Sequence, residues 1–305
     1  MEITRNQTSP SAWPTPSAVL ALLKPITWFP PMWAYACGAI SSGQSFSQTA
    51  VAGLAGIILA GPLLCGTSQA VNDWFDRHVD AINEPHRVIP SGRMPGRWGL
   101  HIAIAMSLLS ALIAAMLGPF VFLPALAGLA FAWAYSAPPL RFKQNGWIGN
   151  GVVGLSYETL PWITAATAMS GVAPTLPILI VALLYGIGAH GILTLNDFKA
   201  IKGDREMNIA TLPVLHGPRL AALIACAMMA FPQLAVVILL ARWGLPYHAL
   251  AVATVLGVQF VCMFRFAADP VRRAVWYSSV GVGLYVSGMM IAAFGMRNLA
   301  SITIG

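Results

Sequence analysis

Charge is what this sequence has least of. Only 9% of its 305 residues are Asp, Glu, Lys or Arg, against roughly 25% in a soluble domain. With 57% hydrophobic residues, it lacks the polar surface that a water-soluble globule needs. Apolar runs of about 18 residues or more recur along the whole chain, as in a polytopic membrane protein. Acid is scarcer than base: 10 Asp and Glu against 17 Lys and Arg, for a net charge of +7. The bases lie in short links between apolar runs. That pattern belongs to membrane topology and anionic partners and excludes nucleic acid as the partner. Cysteine is rare, and Cys37, Cys65, Cys226 and Cys262 each stand alone in an apolar run. A C-x-x-C redox pair or a Cys/His zinc or iron site is therefore excluded. No G-x-x-x-x-G-K-[ST] string occurs, so there is no P-loop. The opening MEITRNQTSPSAWPTPS lacks the order of a signal peptide, and residues 1–17 read as a flexible cytoplasmic tail.

What is present is a series of nine apolar runs, near 25–42, 51–72, 99–117, 120–136, 148–168, 174–196, 218–241, 247–267 and 275–296. Each is long enough for a membrane helix of about 20 residues. Short links such as SSGQS, SGVAP and WGLPYH separate some of them. No composition shift divides the chain, which reads as one all-α domain over 1–305 with nine transmembrane helices around a central cavity. With nine spans, Arg5, Lys24, Arg77, Arg87, Arg93, Arg97, Arg141, Lys143, Lys199, Lys202, Arg205, Arg219, Arg265, Arg272 and Arg273 fall on one side. Only Arg242 and Arg297 fall on the other. The positive-inside rule makes the first side cytoplasmic and places the C-terminus opposite. A missed helix would scramble this alternation.

Acid is concentrated at two places on the basic side. The stretch NDWFDRHVD, residues 72–80, follows a run with no charge at all. At 100° per residue, Asn72, Asp73, Asp76 and Asp80 fall within an arc of roughly 100° on one helix face. Carboxylates so close repel one another, and a divalent cation with oxygen ligands removes that cost. The bland alternative is a solvated juxtamembrane charge cluster, but three aspartates on one face favour a Mg²⁺ site. The sixth run ends in GAHGILTLNDFKAIKGDRE, where Asp197 and Asp204 are seven apart on a shared face, with His190 and Thr194 behind them. Arg87, Arg93, Arg141, Lys143, Lys199 and Arg205 lie on the same side. Carboxylate-bound Mg²⁺ with Arg and Lys donors is what a diphosphate needs. Next to a lipid-facing cavity, that diphosphate would carry an apolar tail. An allylic prenyl diphosphate fits, its cation captured by an acceptor held in the membrane.

N-D-x-x-D-x-x-x-D at residues 72–80, followed by NEPHRVIPSGR at 83–93, resembles the UbiA-type intramembrane prenyltransferases. More narrowly, KPITWFPPMWAY at 24–35, AYSAPPLRFK at 134–143, NGW at 145–147, YETLPW at 157–162 and TLNDFKAIKGDR at 194–205 are similar to the branch that makes chlorophylls and bacteriochlorophylls. The resemblance spans roughly residues 18–300, and WFPPMWAY and GAHGILTLNDFK point to its purple-bacterial members. It implies a nine-helix bundle in the cell inner membrane. It also implies esterification of the ring-D propionate of bacteriochlorophyllide a by geranylgeranyl or phytyl diphosphate, with membrane lipid and pigment-biosynthesis or photosystem-assembly proteins as further partners. By resemblance, Asn72, Asp73, Asp76 and Asp80 hold one Mg²⁺, and Asp197 and Asp204 hold a second. Arg87, Lys143, Lys199 and Arg205, with Arg93 and Arg141, bind the diphosphate.

Two positions depart from the family pattern: Lys202 where Glu is usual before Gly-Asp-Arg, and Asn208 where Gly is usual. Asn tolerates left-handed backbone better than most residues. Lys202 either weakens the second ion site or faces water. Glu158, inside an apolar run, is a functional candidate by its depth, expected in the cavity wall, or else a hydrogen-bonded packing residue. His190 is either an axial ligand to the acceptor's central magnesium or a packing histidine. Rival readings are a chlorophyll-type synthase, a hydroxybenzoate or haem prenyltransferase, a transporter, and a non-catalytic pigment-binding relative. A transporter would show several charges at mid-membrane and paired inverted repeats.

Overall fold

A computed structural model describes residues 13–303. Among them the fold is entirely helical: α1 Pro16–Leu23, α2 Phe29–Ser41, α3 Phe46–Ile58, α4 Gly66–Asn83, α5 Trp98–Met116, α6 Pro119–Ser136, α7 Gly146–Gly154, α8 Leu160–Ser170, α9 Leu176–Asp197, α10 Ile201–Glu206, α11 Leu212–Arg242, α12 Pro246–Ala268 and α13 Pro270–Thr303. Proline sets many of the starts. Pro16, Pro119, Pro246 and Pro270 each open a helix, where the missing N–H costs nothing and the fixed φ is already helical.

Seven helices are long and apolar enough to cross a membrane: Phe46–Asn83, Trp98–Met116, Pro119–Ser136, Leu176–Asp197, Leu212–Arg242, Pro246–Ala268 and Pro270–Arg297. The other two expected spans are built differently. Run 25–42 contains only the 13-residue α2, after a 3₁₀ turn at Pro25–Thr27. Run 148–168 becomes α7 and α8, joined through one π turn at Leu155–Thr159. A second π turn, Leu59–Cys65 around Pro62, joins α3 to α4. Wide turns of this kind often mark functional sites, and Cys65 and Glu158, one from each, both line cavity space. Gly217, at φ 76°, kinks α11 just before Pro218, where the seventh run was expected to begin.

Part of the segment expected to be a tail, residues 13–17, is described. Thr15 caps α1 by accepting from the Ala18 N–H at 3.3 Å, and the Trp13 ring lies 4.6 Å from Trp98. Residues 13–17 therefore belong to the bundle, while residues 1–12, with Arg5, lie outside the described chain.

The main core joins α2, α8, α9, α11, α12 and α13 around Trp162, Tyr185, Tyr277 and Tyr285. Lipid is as apolar as this core, so association relies on close backbone approach and internal hydrogen bonds. Gly186 of α9 illustrates the approach: a Cβ there would lie 1.9 Å from Thr159 Oγ1. Gln233 of α11 donates to Gln259 of α12 at 2.8 Å, entirely within the core. Leu108, Leu112, Leu123, Val261 and Phe264 are exposed on the outside, the surface a bilayer would cover.

Candidate active site

Loops 84–97, 137–145 and 198–211 gather at one end of the bundle. Two backbone hydrogen bonds join the last two loops, Gly146 N–H to Ala210 O at 2.9 Å and Ala210 N–H to Gln144 O at 3.0 Å. Asn145 caps α7 by accepting from the Trp147 and Ile148 N–H groups. The helix register of α4 presents its motif at this end but divides it in two. Asp73 and Asp80, seven apart, share Arg87, whose Nη1 lies 2.9 Å from Asp80 Oδ2 and 3.6 Å from Asp73 Oδ1. Lys24 Nζ closes on Asp73 Oδ1 at 2.6 Å. Asp76 takes the Lys143 ammonium, with Arg141 Nη2 at 3.9 Å. Asn72 Nδ2 donates to Asp76 Oδ2 at 3.0 Å and to Ser136 Oγ at 3.2 Å. Burial lowers the Lys143 pKa, and the charge of Asp76 opposes that fall.

The second motif is set differently. Asp197 ends α9 and accepts from Asn150 Nδ2 at 3.1 Å. Asp204, in α10, accepts from Thr211 Oγ1 at 3.2 Å. Neither forms an ion pair among the described residues. Burial raises the Asp204 carboxyl above its ordinary range, with the Thr211 hydrogen bond opposing.

Backbone strain gathers here as well. Lys24 at φ 46°, Arg141 at φ 38° and Asn208 at φ 55° are the non-glycine residues with positive φ among those described. Each such residue costs of order 1 kcal/mol, and strain of this kind clusters at functional sites. Two of the three aim cations at the first motif, and the third follows the second. Asn208 adopts the left-handed conformation in place of the usual Gly. Lys202 is exposed and forms no ion pair with either aspartate among the described residues.

Both motifs border one cavity of about 410 Å³. Asn72, Asn150 and Asp197 stand at its polar end, and Gln69, Tyr135, Tyr157 and Glu158 also line it. A mostly apolar extension shares Ser68, Tyr135 and Tyr157 and continues along Leu59, Leu64, Pro124 and Phe131 between α4, α6 and α8.

Arg87, Arg141 and Lys143 thus reach the carboxylates. Lys199 and Arg205 are exposed beside the second motif. Arg93 is instead turned into its own loop, donating to Ser91 Oγ and His86 O. Glu158 is in the cavity wall as expected. His190 is not: its imidazole packs on the Trp147 ring at 5.3 Å and does not line the cavity. Sequence reasoning missed Lys24, Asn150 and Thr211 as partners of the aspartates. A lone Lys before Pro reads only as a topology marker, and Asn150 was a single polar residue in a glycine-rich run.

Among the described residues, no three His, Cys, Asp or Glu side chains converge on a metal position. The carboxylates of Asp73, Asp76 and Asp80 are each engaged by an ammonium or guanidinium group instead. The donors still suit Mg²⁺, which typically takes one or two carboxylates and completes its shell with water and substrate phosphate.

An all-helical membrane fold with two acidic motifs and a basic rim at one cavity defines an intramembrane transferase. The chain belongs to the UbiA prenyltransferase family, whose family model matches residues 27–294. It is 55% identical over 287 residues to the bacteriochlorophyll synthase 33 kDa chain of Rhodobacter capsulatus, covering 93% of this chain and 94% of that one. It is 36% identical to the chloroplastic chlorophyll synthase of Arabidopsis thaliana, covering 92% and 74%. In fold it is similar to the structure of a UbiA homolog from Archaeoglobus fulgidus bound to DMAPP and Mg²⁺, at 20% identity and TM-score 0.67, over 90% of this chain and 99% of that one.

Proposed function

We propose that this protein esterifies the ring-D propionate of bacteriochlorophyllide a with a geranylgeranyl or phytyl group from the corresponding diphosphate. The observation that carries this reading is the pairing of two acidic motifs with an apolar extension of one cavity, in a chain 55% identical to a bacteriochlorophyll synthase over nearly its whole length. A propionate oxygen forms a bond to C1 of the allylic chain. The C1–O bond to diphosphate breaks, and diphosphate leaves with the electron pair. The acceptor is already a carboxylate, so no proton has to be removed and no strong general base is needed.

Mg²⁺ fits both motifs, one ion at each, and its chemistry when bound is to neutralise diphosphate oxygens and so improve the leaving group. Asp197 and Asp204, held by neutral donors, would ligate one ion. Asp73, Asp76 and Asp80 with Asn72 would ligate the other when substrate oxygens complete the shell. Lys24, Arg87, Arg141 and Lys143 would turn from the aspartates to the diphosphate, with Lys199 and Arg205 joining from the second loop. The apolar extension would take the prenyl tail and exclude water from the allylic cation. We place the protein in the cell inner membrane, with both motifs cytoplasmic and the C-terminus opposite. The exposure of Lys202 and the left-handed backbone of Asn208 support a catalytic chain over a non-catalytic relative.

The test is purified protein in detergent with bacteriochlorophyllide a, geranylgeranyl diphosphate and Mg²⁺, against a sample with EDTA, the pigments then separated by chromatography. A less polar ester that requires Mg²⁺ is expected. Its absence beside a working control enzyme would reject the reading.

A further inference from the structure

Glu158 takes no part in the bond changes of this reaction, yet it lines the same cavity as Asn72 and Asp197. It sits in the π turn Leu155–Thr159, is 4% exposed and lines the cavity. Its Oε2 is enclosed and has no hydrogen-bond partner among the described residues. The neighbouring Thr159 shows what a packing role looks like, donating to Ala182 O of α9 at 3.0 Å; Glu158 makes no such bond. A buried carboxyl left without a partner is costly, and one at membrane depth is a functional candidate.

Its depth can be read along α9. A Cβ added at Gly154 would lie 2.5 Å from Gly186 O, and one at Gly186 would lie 1.9 Å from Thr159 Oγ1, so Glu158 is level with Gly186. Gly186 is 11 residues before Asp197, about 16 Å at 1.5 Å per residue. That is the order of the span from a propionate carboxylate to the far edge of a flat four-ring macrocycle. A ring whose propionate lay at the aspartates would therefore extend to the level of Glu158.

We infer that Glu158 determines acceptor specificity by donating a hydrogen bond from its carboxyl O–H to a carbonyl oxygen on the macrocycle. This rests on the proposed reaction for the identity of the ring. No cation forms an ion pair with Glu158 among the described residues, so the group that suits this place is a carboxylic acid, a donor complementary to a carbonyl. A site built to hydrogen-bond one group discriminates against rings that lack it.

The experiment compares wild type, Glu158→Gln and Glu158→Leu in detergent. It measures binding of bacteriochlorophyllide a by its fluorescence change and KM for ring and for geranylgeranyl diphosphate separately. Glu158→Leu is expected to weaken ring binding and raise the ring KM about 10-fold or more. Glu158→Gln, whose amide N–H still donates, is expected to stay within about 3-fold, the diphosphate KM being unchanged in both. With chlorophyllide a, which carries a vinyl group in place of the acetyl, an absent penalty assigns the bond to the acetyl oxygen, and a retained one overturns the inference, because the remaining ring ketone lies beside the propionate-bearing ring and not across the macrocycle from it. Equal losses in both variants, a shift in the diphosphate KM, or unchanged ring binding would each overturn the inference. If Glu158→Leu does not fold, Glu158→Asp withdraws the carboxyl by one methylene and is held to the same ring-only effect. Glu158-dependent ring binding without ester formation would sink the proposed reaction and leave this inference standing, and ester formation indifferent to Glu158 would do the reverse.

Discussion

The two acidic motifs look alike in sequence and differ in their surroundings. The first has four cationic side chains on three aspartates: Lys24 and Arg87 on Asp73, Arg87 on Asp80, Lys143 and Arg141 on Asp76. Among the described residues the second has only the amide of Asn150 and the hydroxyl of Thr211. Substrate-free, the first motif is electrically satisfied and the second is not. Under the proposed function the first would exchange partners when a diphosphate binds, its bases turning to phosphate and its acids to metal. Under the same proposal the second would gain more from a divalent ion, because its buried carboxyls have neutral partners.

The largest effects should come from removing a motif carboxylate. Asp73→Asn and Asp197→Asn are each expected to lower turnover by at least about 100-fold, measured as ester formed per enzyme. They should part company in stability. Asp73→Asn strands Lys24 and should lower the thermal midpoint in detergent. Asp197→Asn removes an uncompensated charge and should leave the midpoint unchanged or raise it. Equal drops in both would break the comparison.

A smaller effect sharpens it. In Asp204→Asn, the Mg²⁺ concentration for half-maximal rate should rise about 10-fold while the diphosphate KM moves less. In Lys143→Met the diphosphate KM should rise about 10- to 100-fold, as expected for a lost charged hydrogen bond, with the Mg²⁺ requirement moving less. Titrating each ligand against saturating amounts of the other separates the two. Smallest of all should be Lys202→Glu and Asn208→Gly, each within about 2-fold of wild-type turnover, because exposed substitutions away from special contacts are nearly neutral. A large gain from Lys202→Glu would mean that the second motif is weakened by its neighbour.

Much of the site was readable before any coordinates. Asn72, Asp73, Asp76, Asp80, Asp197 and Asp204 stood out because acid is so rare here that its clustering carries information. Arg87, Arg141 and Lys143 were placed on the correct end by charge alternation alone. Lys24 was not legible as a partner, since it lies 49 residues from Asp73 and only the packing of α1 on α4 brings them together. Arg93 shows the opposite case, and His190 takes the packing alternative that the sequence left open. Each lies beside a motif in sequence, yet a loop turn points one at its own backbone and a helix face points the other at Trp147.

By itself the sequence determined the class, the positions of the apolar runs and the identity of the acids. All of these follow from composition and from the 3.6-residue period within a single helix. Only the tertiary structure decided which helix faces which, and with it the cation partners, the cavity and the unpartnered Glu158. The reason is the solvent: lipid and protein interior are both apolar, so in a membrane helix the hydrophobic pattern no longer marks the face that turns inward.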